Sequence, residues 1–139
     1  MALMEREYKR MVKAVGWLAW HMSRWKDIQS GHVVGEQPVW NSKGWAQRFG
    51  LPAEAAGFRD TPHPPTFWAK QVLLLEYAEA AHQATVRHIG SAIDKQLMAK
   101  IDEDRRAWQG LQTNALDYAE HSGQIMYLRG VLASRGSET

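Results

Sequence analysis

Two side chains near the carboxyl end of the chain have the types and the spacing of metal ligands. Asp117 and His121 are four residues apart, so on a helix they lie one above the other on the same face. A carboxylate and an imidazole placed in this way can bind one divalent cation from a single helix. A third ligand must then come from elsewhere, and we predict that it is His21.

The same residues also have a simpler interpretation in which no metal takes part. His121 could be a buried histidine that hydrogen-bonds to Asp117 on the previous turn of the helix. His21 could be a histidine at the edge of the core, satisfied among tryptophans. Residue types and spacing alone leave both interpretations open.

The other histidines are weaker candidates for ligands. His82 and His88 are six residues apart, which places them on different faces of a helix, and we interpret them as ordinary helix residues. Of the two, His82 is a weak candidate for a fourth ligand. His32 and His63 are predicted to lie in loops that are exposed to solvent.

Composition restricts the chemistry that the chain can perform. With 139 residues, 45% of them hydrophobic and 23% charged, the sequence predicts one globular domain over residues 1–139. The chain contains no cysteine, which excludes disulfides, thiolate catalysis and cysteine-ligated zinc, and which suits a cytoplasmic protein. Any metal must therefore be bound by histidine and carboxylate side chains.

Nucleic acid and membrane are not expected as partners. The net charge is only +2, and the basic residues near the amino terminus alternate with acidic ones, as on a solvated helix face. No apolar run approaches the roughly 18 residues of a membrane span, and the amino terminus lacks the basic and then apolar pattern of a signal peptide.

Hydrophobic periodicity predicts helices before and after a long connection. The first helix is predicted over residues 3–29, where Ser30 and Gly31 end it, and the second over residues 66–89, where Gly90 ends it. The connection between them has many glycines and prolines. It includes a short helix predicted over residues 41–49, with Asn41 or Ser42 as its cap and Gly50 as its stop. The aromatic residues of this connection indicate that it folds back over the core.

The carboxyl-terminal part is also predicted to be helical. A short helical turn is expected over residues 91–103, and Asp102 or Asp104 is expected to cap a last helix that ends near residue 133. Strand patterns and internal repeats are essentially absent. The predicted fold class is all-α, and His21, Asp117 and His121 lie at the edges of two apolar helix faces that could meet.

Three segments, taken in order, resemble the DinB/YfiT-like superfamily of small metalloenzymes. They are residues 16–21 (Gly-Trp-Leu-Ala-Trp-His), residues 40–52, and residues 117–130 with His121, Gly123, Gln124, Tyr127, Arg129 and Gly130 in places typical of the family. Together the resemblance covers most of the chain from Val15 to Gly136. It implies a four-helix bundle in which one histidine from the second helix and a pair of residues on the last helix bind a metal.

Carried over to this chain, the metal ligands are His21, Asp117 and His121. The common pair in the family is two histidines, so Asp117 is a departure, although aspartate is a sound ligand for zinc or nickel. A second departure is the amino terminus. Family members have a full helix before the first motif, whereas only about fifteen residues precede it here. A bundle with its first helix short or missing exposes an apolar face, and we expect a homodimer to cover that face.

Further residues are predicted to support the metal or to line a pocket beside it. Gln124, one turn beyond His121, could orient that ligand, and Trp17 and Tyr118 could wall the pocket. Arg129 could bind an anionic substrate, although an ion pair with Glu120 or Asp117 is the favoured interpretation of this residue.

The resemblance implies a metal-dependent enzyme that acts on a small molecule. Family members with known activity include transferases and isomerases that use low-molecular-weight thiols, and hydrolysis by an activated water is the other reaction that the predicted geometry allows. The alternative is a helical module for ligand binding or oligomerisation that has lost the metal chemistry. A bound divalent cation with an open coordination position would distinguish the enzyme from the module.

Overall fold

The protein is described by a computed structural model that covers residues 2–57 and 69–136. Six helices form in these two ranges: α1 (Ala2–Val34), α2 (Val39–Ser42), α3 (Trp45–Phe49), α4 (Gln71–Ser91), α5 (Asp94–Leu97) and α6 (Ala107–Gly136). The described ranges contain no strand, and their one isolated bridge joins Lys100 and Arg106. The prediction of an all-α fold is confirmed.

Helix α1 is the central element. Helix α4 packs along one side of it and α6 along another, while α4 and α6 have little contact with one another. The described part of the chain therefore contains three long helices and three short ones. A complete four-helix bundle would need one more long helix, so that part of the prediction remains a prediction. No helix in the described ranges combines the length and the hydropathy that crossing a membrane requires.

Helix α1 continues past the predicted stop at Ser30 and Gly31. Ser30 is fully buried, and its hydroxyl lies 3.2 Å from Thr85 Oγ1 and 3.1 Å from His88 Nδ1. The helix ends at Val34, where Gly35 takes a positive φ of 75° and the Glu36 N–H donates to the Gly31 carbonyl at 3.0 Å. This is a Schellman ending around Gly35, four residues beyond the predicted stop at Gly31.

The predicted helix over residues 41–49 is two short helices. Gly44, with a φ of 70°, separates α2 from α3, and the predicted stop at Gly50 is confirmed by its φ of 64°. The first residues of α2 are capped by a side chain from α1, and not by Asn41 or Ser42 as predicted. The predicted helix over residues 66–89 begins at Gln71, since Ala69 and Lys70 are not helical, and it ends at Ser91; residues 66–68 lie outside the described ranges.

The predicted cap of the last helix is also wrong. Asp102 Oδ1 accepts the N–H groups of Asp104 and Arg105, at 3.0 and 2.8 Å, in a turn that precedes the helix. Helix α6 begins later, at Ala107, and the Gln109 side chain accepts the N–H of Arg106 at its start. The Asp102 side chain thus shapes the connection from α5 to α6.

The core is an aromatic cluster beneath the connection between α1 and α4. Trp40 from α2 makes ring contacts with Trp20 of α1 and Tyr77 of α4, at centroid distances of 5.8 and 5.1 Å. Trp40 and Tyr77 are both completely buried, and Trp45 of α3 packs on Tyr77. The expectation that the connection folds back over the core is confirmed for its described residues.

A buried carboxylate attaches this connection to α1. Asp27 is completely buried and accepts the N–H groups of Val39 at 2.8 Å and Trp40 at 3.0 Å, which are the first two residues of α2. It also accepts a 2.9 Å hydrogen bond from the Tyr77 hydroxyl. Burial raises the pKa of the Tyr77 hydroxyl far above its usual value, so the group remains a donor.

Arg24, one turn before Asp27 on α1, attaches a later part of the connection, at Ala55, to the same helix. Its Nε donates to the Ala55 carbonyl at 2.7 Å, its guanidinium lies 4.8 Å from the Trp40 ring centroid, and Nη1 is 3.7 Å from Asp27 Oδ2. Removing one partner of a buried pair leaves the other charge uncompensated. The two side chains therefore depend on one another, and the connection depends on both.

We expect Asp27→Asn to lower the free energy of unfolding by about 3–5 kcal/mol, because it leaves Arg24 buried without its countercharge and disrupts the cap of α2. Urea unfolding followed by circular dichroism measures the change. Glu103→Gln, which neutralises an exposed carboxylate, is the matched control and should unfold like the parent. Equal midpoints for the two variants would contradict the assigned role of Asp27.

Candidate metal centre

His21 lies on the face of α1 that looks towards α6. Only 7% of the residue is exposed, its ring stacks on Trp17 at a centroid distance of 4.7 Å, and Trp25 contacts it edge-on at 6.2 Å. Its Nδ1 is 3.0 Å from the Ala56 carbonyl. A carbonyl oxygen only accepts, so Nδ1 carries the proton and Nε2 presents a lone pair to the opposite side of the ring.

The loop that holds His21 depends on a glycine. Gly57 has a φ of 72°, and a Cβ built on it would lie 2.8 Å from His21 Nδ1 and 2.9 Å from the Trp20 ring. No larger residue fits without displacing the histidine. Arg24 binds the Ala55 carbonyl from the core. The next residue is Ala56, whose carbonyl orients His21, so Arg24 also helps to position that carbonyl.

Asp117 and His121 approach His21 from α6. Asp117 Oδ2 lies 3.9 Å from His21 Nε2, and Asp117 Oδ1 lies 3.3 Å from His121 Nε2. The two imidazole rings are 5.1 Å apart. One ligand atom from each of the three residues lies within 4.8 Å of the others, so the structure brings the three predicted ligands together.

Gln124 fixes the orientation of His121. Its Oε1 lies 2.8 Å from His121 Nδ1, and its Nε2 donates to Glu120 at 3.4 Å. With the amide oriented in this way, His121 Nδ1 is the donor and Nε2 is unprotonated when the ring is neutral. Both histidines thus have the arrangement typical of metal ligands, in which one ring nitrogen donates to an acceptor and the other is free to coordinate.

The electrostatics of the cluster depend on the protonation of its two histidines. Burial lowers the pKa of His21 below its usual value, and this effect outweighs the hydrogen bond that His21 donates to the Ala56 carbonyl and the nearby Asp117 charge, which both raise the pKa. At neutral pH the lone pair of His21 Nε2 therefore faces the Asp117 carboxylate, and neither group carries a proton there. Asp117 accepts no hydrogen bond from the described residues, and its 3.3 Å contact with His121 Nε2 is an ion pair when that ring is protonated.

The spacing of the donor atoms suits a small divalent ion. Ligands at 2.0–2.2 Å from a tetrahedral ion are about 3.3–3.6 Å apart. The measured separations of 3.3 and 3.9 Å, with an outer limit of 4.8 Å, come within about 1 Å of that figure. Three protein ligands would leave the fourth position open.

The other predicted site residues differ in where the structure places them. Trp17 does line the site, through its stack on His21. Tyr118 is 41% exposed and its ring lies 5.3 Å from the Lys26 ammonium group, so it belongs to the rim. Arg129 is exposed and stands twelve residues beyond Asp117, about 18 Å along the helix axis, which places it away from the metal ligands.

The remaining histidines do not join the cluster. His82 is exposed on α4 and is no fourth ligand of the group, and His88 is buried, with its Nε2 3.2 Å from Glu36 Oε2. His32 is exposed but belongs to α1, so its predicted loop is wrong. His63 lies outside the described residues.

The sequence predicts a pocket beside the ligands but not most of the residues that line it. A cavity of 380 Å³ opens next to His21 and Asp117 and is further lined by Trp25, Gln29, Arg105, Thr113 and Asn114. The helical spacing of Asn114 and Asp117, three residues apart, was the one available signal, whereas Gln29 and Arg105 reach the cavity through tertiary packing.

Comparison with known proteins supports the fold and names no function. No protein-family model matches the sequence, and no curated protein matches it significantly. The chain is similar to a solved structure described as the crystal structure of the conserved protein of a locus from Enterococcus faecalis, with a TM-score of 0.71 and 23% sequence identity. The match covers 94% of this chain and 92% of that chain, so the fold is shared over almost the whole length of both.

The lowered pKa of His21 predicts a pH dependence of stability in the metal-free protein. Between the folded and the unfolded pKa the unfolded chain binds a proton that the folded chain does not, so stability falls as the pH falls below about 6.5. We expect His21→Gln to reduce this loss in urea titrations with chelator present. His32→Gln, on an exposed position of the same helix, should behave like the parent. Parallel curves for the parent and His21→Gln would refute the expectation.

Proposed function

We propose that the protein is a metal-dependent enzyme of the DinB type, which binds one divalent cation through His21, Asp117 and His121. One observation carries the proposal. Both histidines direct Nε2 at the Asp117 carboxylate, and protein acceptors hold the opposite nitrogen of each ring. When both rings are neutral, this arrangement places two lone pairs beside a negative charge, where a cation would be stabilised.

Zinc or nickel fits this donor set best. Two imidazoles and one carboxylate are borderline ligands that suit these ions, whereas magnesium and calcium prefer sites made only of oxygen atoms. A site with three protein ligands and an open position is typical of catalytic zinc, since structural zinc sites are closed by a fourth protein ligand.

The substrate is proposed to be a small molecule, and a low-molecular-weight thiol is a candidate for the second reactant. A cation in this site would act as a Lewis acid, which lowers the pKa of a coordinated thiol or water. The chain's own contribution is to orient the ligands through Ala56 and Gln124 and to cover His21 with Trp17 and Trp25. Glu120 is exposed and hydrogen-bonded to Gln124, so it is not placed as a general base.

We expect purified protein to bind about one equivalent of zinc or nickel, and a His21→Ala, His121→Ala double variant to bind none. Gln124→Leu should weaken metal binding by about 10- to 100-fold, because it removes the acceptor that orients His121. Gln83→Leu breaks a comparable exposed bond to Glu79 on α4 and is the matched control.

Elemental analysis gives the stoichiometry and competition with a chromophoric chelator gives the affinities. Absence of metal from the parent after reconstitution would exclude the enzyme. The alternative, a non-catalytic helical module, would then have to account for the conformation of the two histidines by packing alone.

We propose in addition that a second copy of the chain covers the outer face of α6. Leu116, Met126 and Tyr127 are 68%, 70% and 73% exposed on this face. Gly123 and Gly130 lie among them, and a Cβ on either would meet nothing within 4 Å in the described part of the chain. Each glycine within a helix costs about 1 kcal/mol of helix stability relative to alanine. Close approach of another helix would explain why α6 has a glycine at both positions.

The Gly123→Ala, Gly130→Ala double variant distinguishes the dimer from a monomer. If a second chain packs here, the added methyl groups keep the helices apart, and sedimentation equilibrium will show association weakened by about tenfold or more. Gly90→Ala on α4 adds a methyl group to open space and should leave association unchanged. A monomeric parent, with the double variant merely more stable, would contradict the dimer.

A further inference from the structure

The cavity beside His21 and Asp117 has the features of a binding site for one end of a small molecule. Its volume of 380 Å³ lies within the range of about 300–1,000 Å³ that is usual for small-molecule sites. Because His21 and Asp117 form part of its wall, a molecule held there reaches the proposed metal. The remaining wall is the indole of Trp25 and a set of polar side chains.

Arg105 is held in the cavity wall by its own turn. The Ile101 N–H donates to the Arg105 carbonyl at 2.9 Å, and Asp102 Oδ1 accepts the Arg105 N–H at 2.8 Å. Asp102 Oδ2 lies 2.7 Å from both Nε and Nη2 of the guanidinium. This pair fixes one edge of the guanidinium and leaves Nη1 without a partner among the described residues.

Gln29 is the second donor, and a glycine makes room for it. A Cβ built on the buried Gly110 of α6 would lie 2.6 Å from Gln29 Oε1, so the amide of Gln29 packs directly on the helix backbone. The side chain is half-buried and makes no hydrogen bond with any described residue. Such a group gains most when a ligand satisfies it.

Asn114 is the third donor. It lies one turn before Asp117 on α6 and is half-buried in the cavity wall, also without a hydrogen-bond partner among the described residues. Thr113, by contrast, donates its hydroxyl to the Gln109 carbonyl at 3.0 Å. The cavity therefore offers a guanidinium and two amide groups as donors. Apart from Asp117, its lining residues carry no acidic side chain.

We infer that this cavity binds the carboxylate of a small-molecule substrate, with Arg105, Gln29 and Asn114 as its donors and Trp25 against its apolar part. The free edge of a planar guanidinium with two amide groups matches a planar oxyanion, and because Asp102 already pairs with Arg105, the site suits no more than one further negative charge. The inference deepens the proposed function and rests on it in one respect, because the other end of the substrate is expected to reach the proposed metal. Binding of the carboxylate itself does not require the metal.

The first test uses cobalt(II) in place of the native metal, because its absorption spectrum reports thiolate binding. The probes are 3-mercaptopropionate and 3-mercapto-1-propanol, which differ in the carboxylate. We expect the parent to bind the carboxylate probe about tenfold more tightly, and Arg105→Gln to lose that preference while it keeps its cobalt and its affinity for the alcohol. Arg87→Gln, which removes an exposed positive charge on α4, should keep the preference.

A preference that persists in Arg105→Gln would arise from chelation of cobalt by the probe and would overturn the inference. Equal affinity of the parent for the two probes would overturn it as well. Retention of the cobalt spectrum in both cases would leave the metal proposal intact.

The second test uses metal-free protein, so that the carboxylate site is read alone. Propionate is titrated while the side-chain amide signals of Gln29 and Asn114 and the indole signal of Trp25 are followed by NMR. We expect saturable shifts in the parent that are lost in Arg105→Gln and kept in Arg87→Gln. Unmoved signals would overturn the carboxylate site, whereas shifts without any cobalt binding would overturn the metal proposal only.

Discussion

The completely buried carboxylate of Asp27 is the group on which the rest of the structure depends, because it joins three separate parts of the chain. It caps α2 through two backbone N–H groups, accepts the Tyr77 hydroxyl from α4, and lies beside Arg24 on its own helix. Arg24 in turn binds the Ala55 carbonyl, and the next carbonyl along the chain, that of Ala56, orients His21. The tautomer of His21 thus follows from a charge pair in the core.

The two sides of α1 therefore differ in packing, since one is closed to solvent and the other borders a cavity. The side that packs on α4 and the connection is filled by aromatic rings and closed to solvent, which gives α1 a fixed position. The side that faces α6 carries His21 and leaves a cavity of 380 Å³ next to it. A rigid helix with one closed side and one open side is a suitable support for a reactive group, because packing on the closed side holds the ligand in place.

The sequence predicts those features that depend on local spacing, and it fails for those that depend on distant contacts. The spacing of Asp117 and His121 and the position of Gln124 one turn later are properties of a single helix, so the sequence alone predicts them. The cap of α2 comes from Asp27, twelve residues before Val39, and no local sequence pattern predicts it. The donors Gln29 and Arg105 meet at the cavity only after α1 and α6 have packed together.

The most direct test of the metal centre is an anomalous difference map, recorded at the zinc absorption edge from crystals of zinc-loaded protein. We expect one peak at about 2.0–2.2 Å from Nε2 of His21, Nε2 of His121 and an oxygen of Asp117, with His21 Nδ1 still bonded to the Ala56 carbonyl. A map without density between these three side chains, or with zinc bound only elsewhere on the chain, would contradict the metal centre and the function proposed from it.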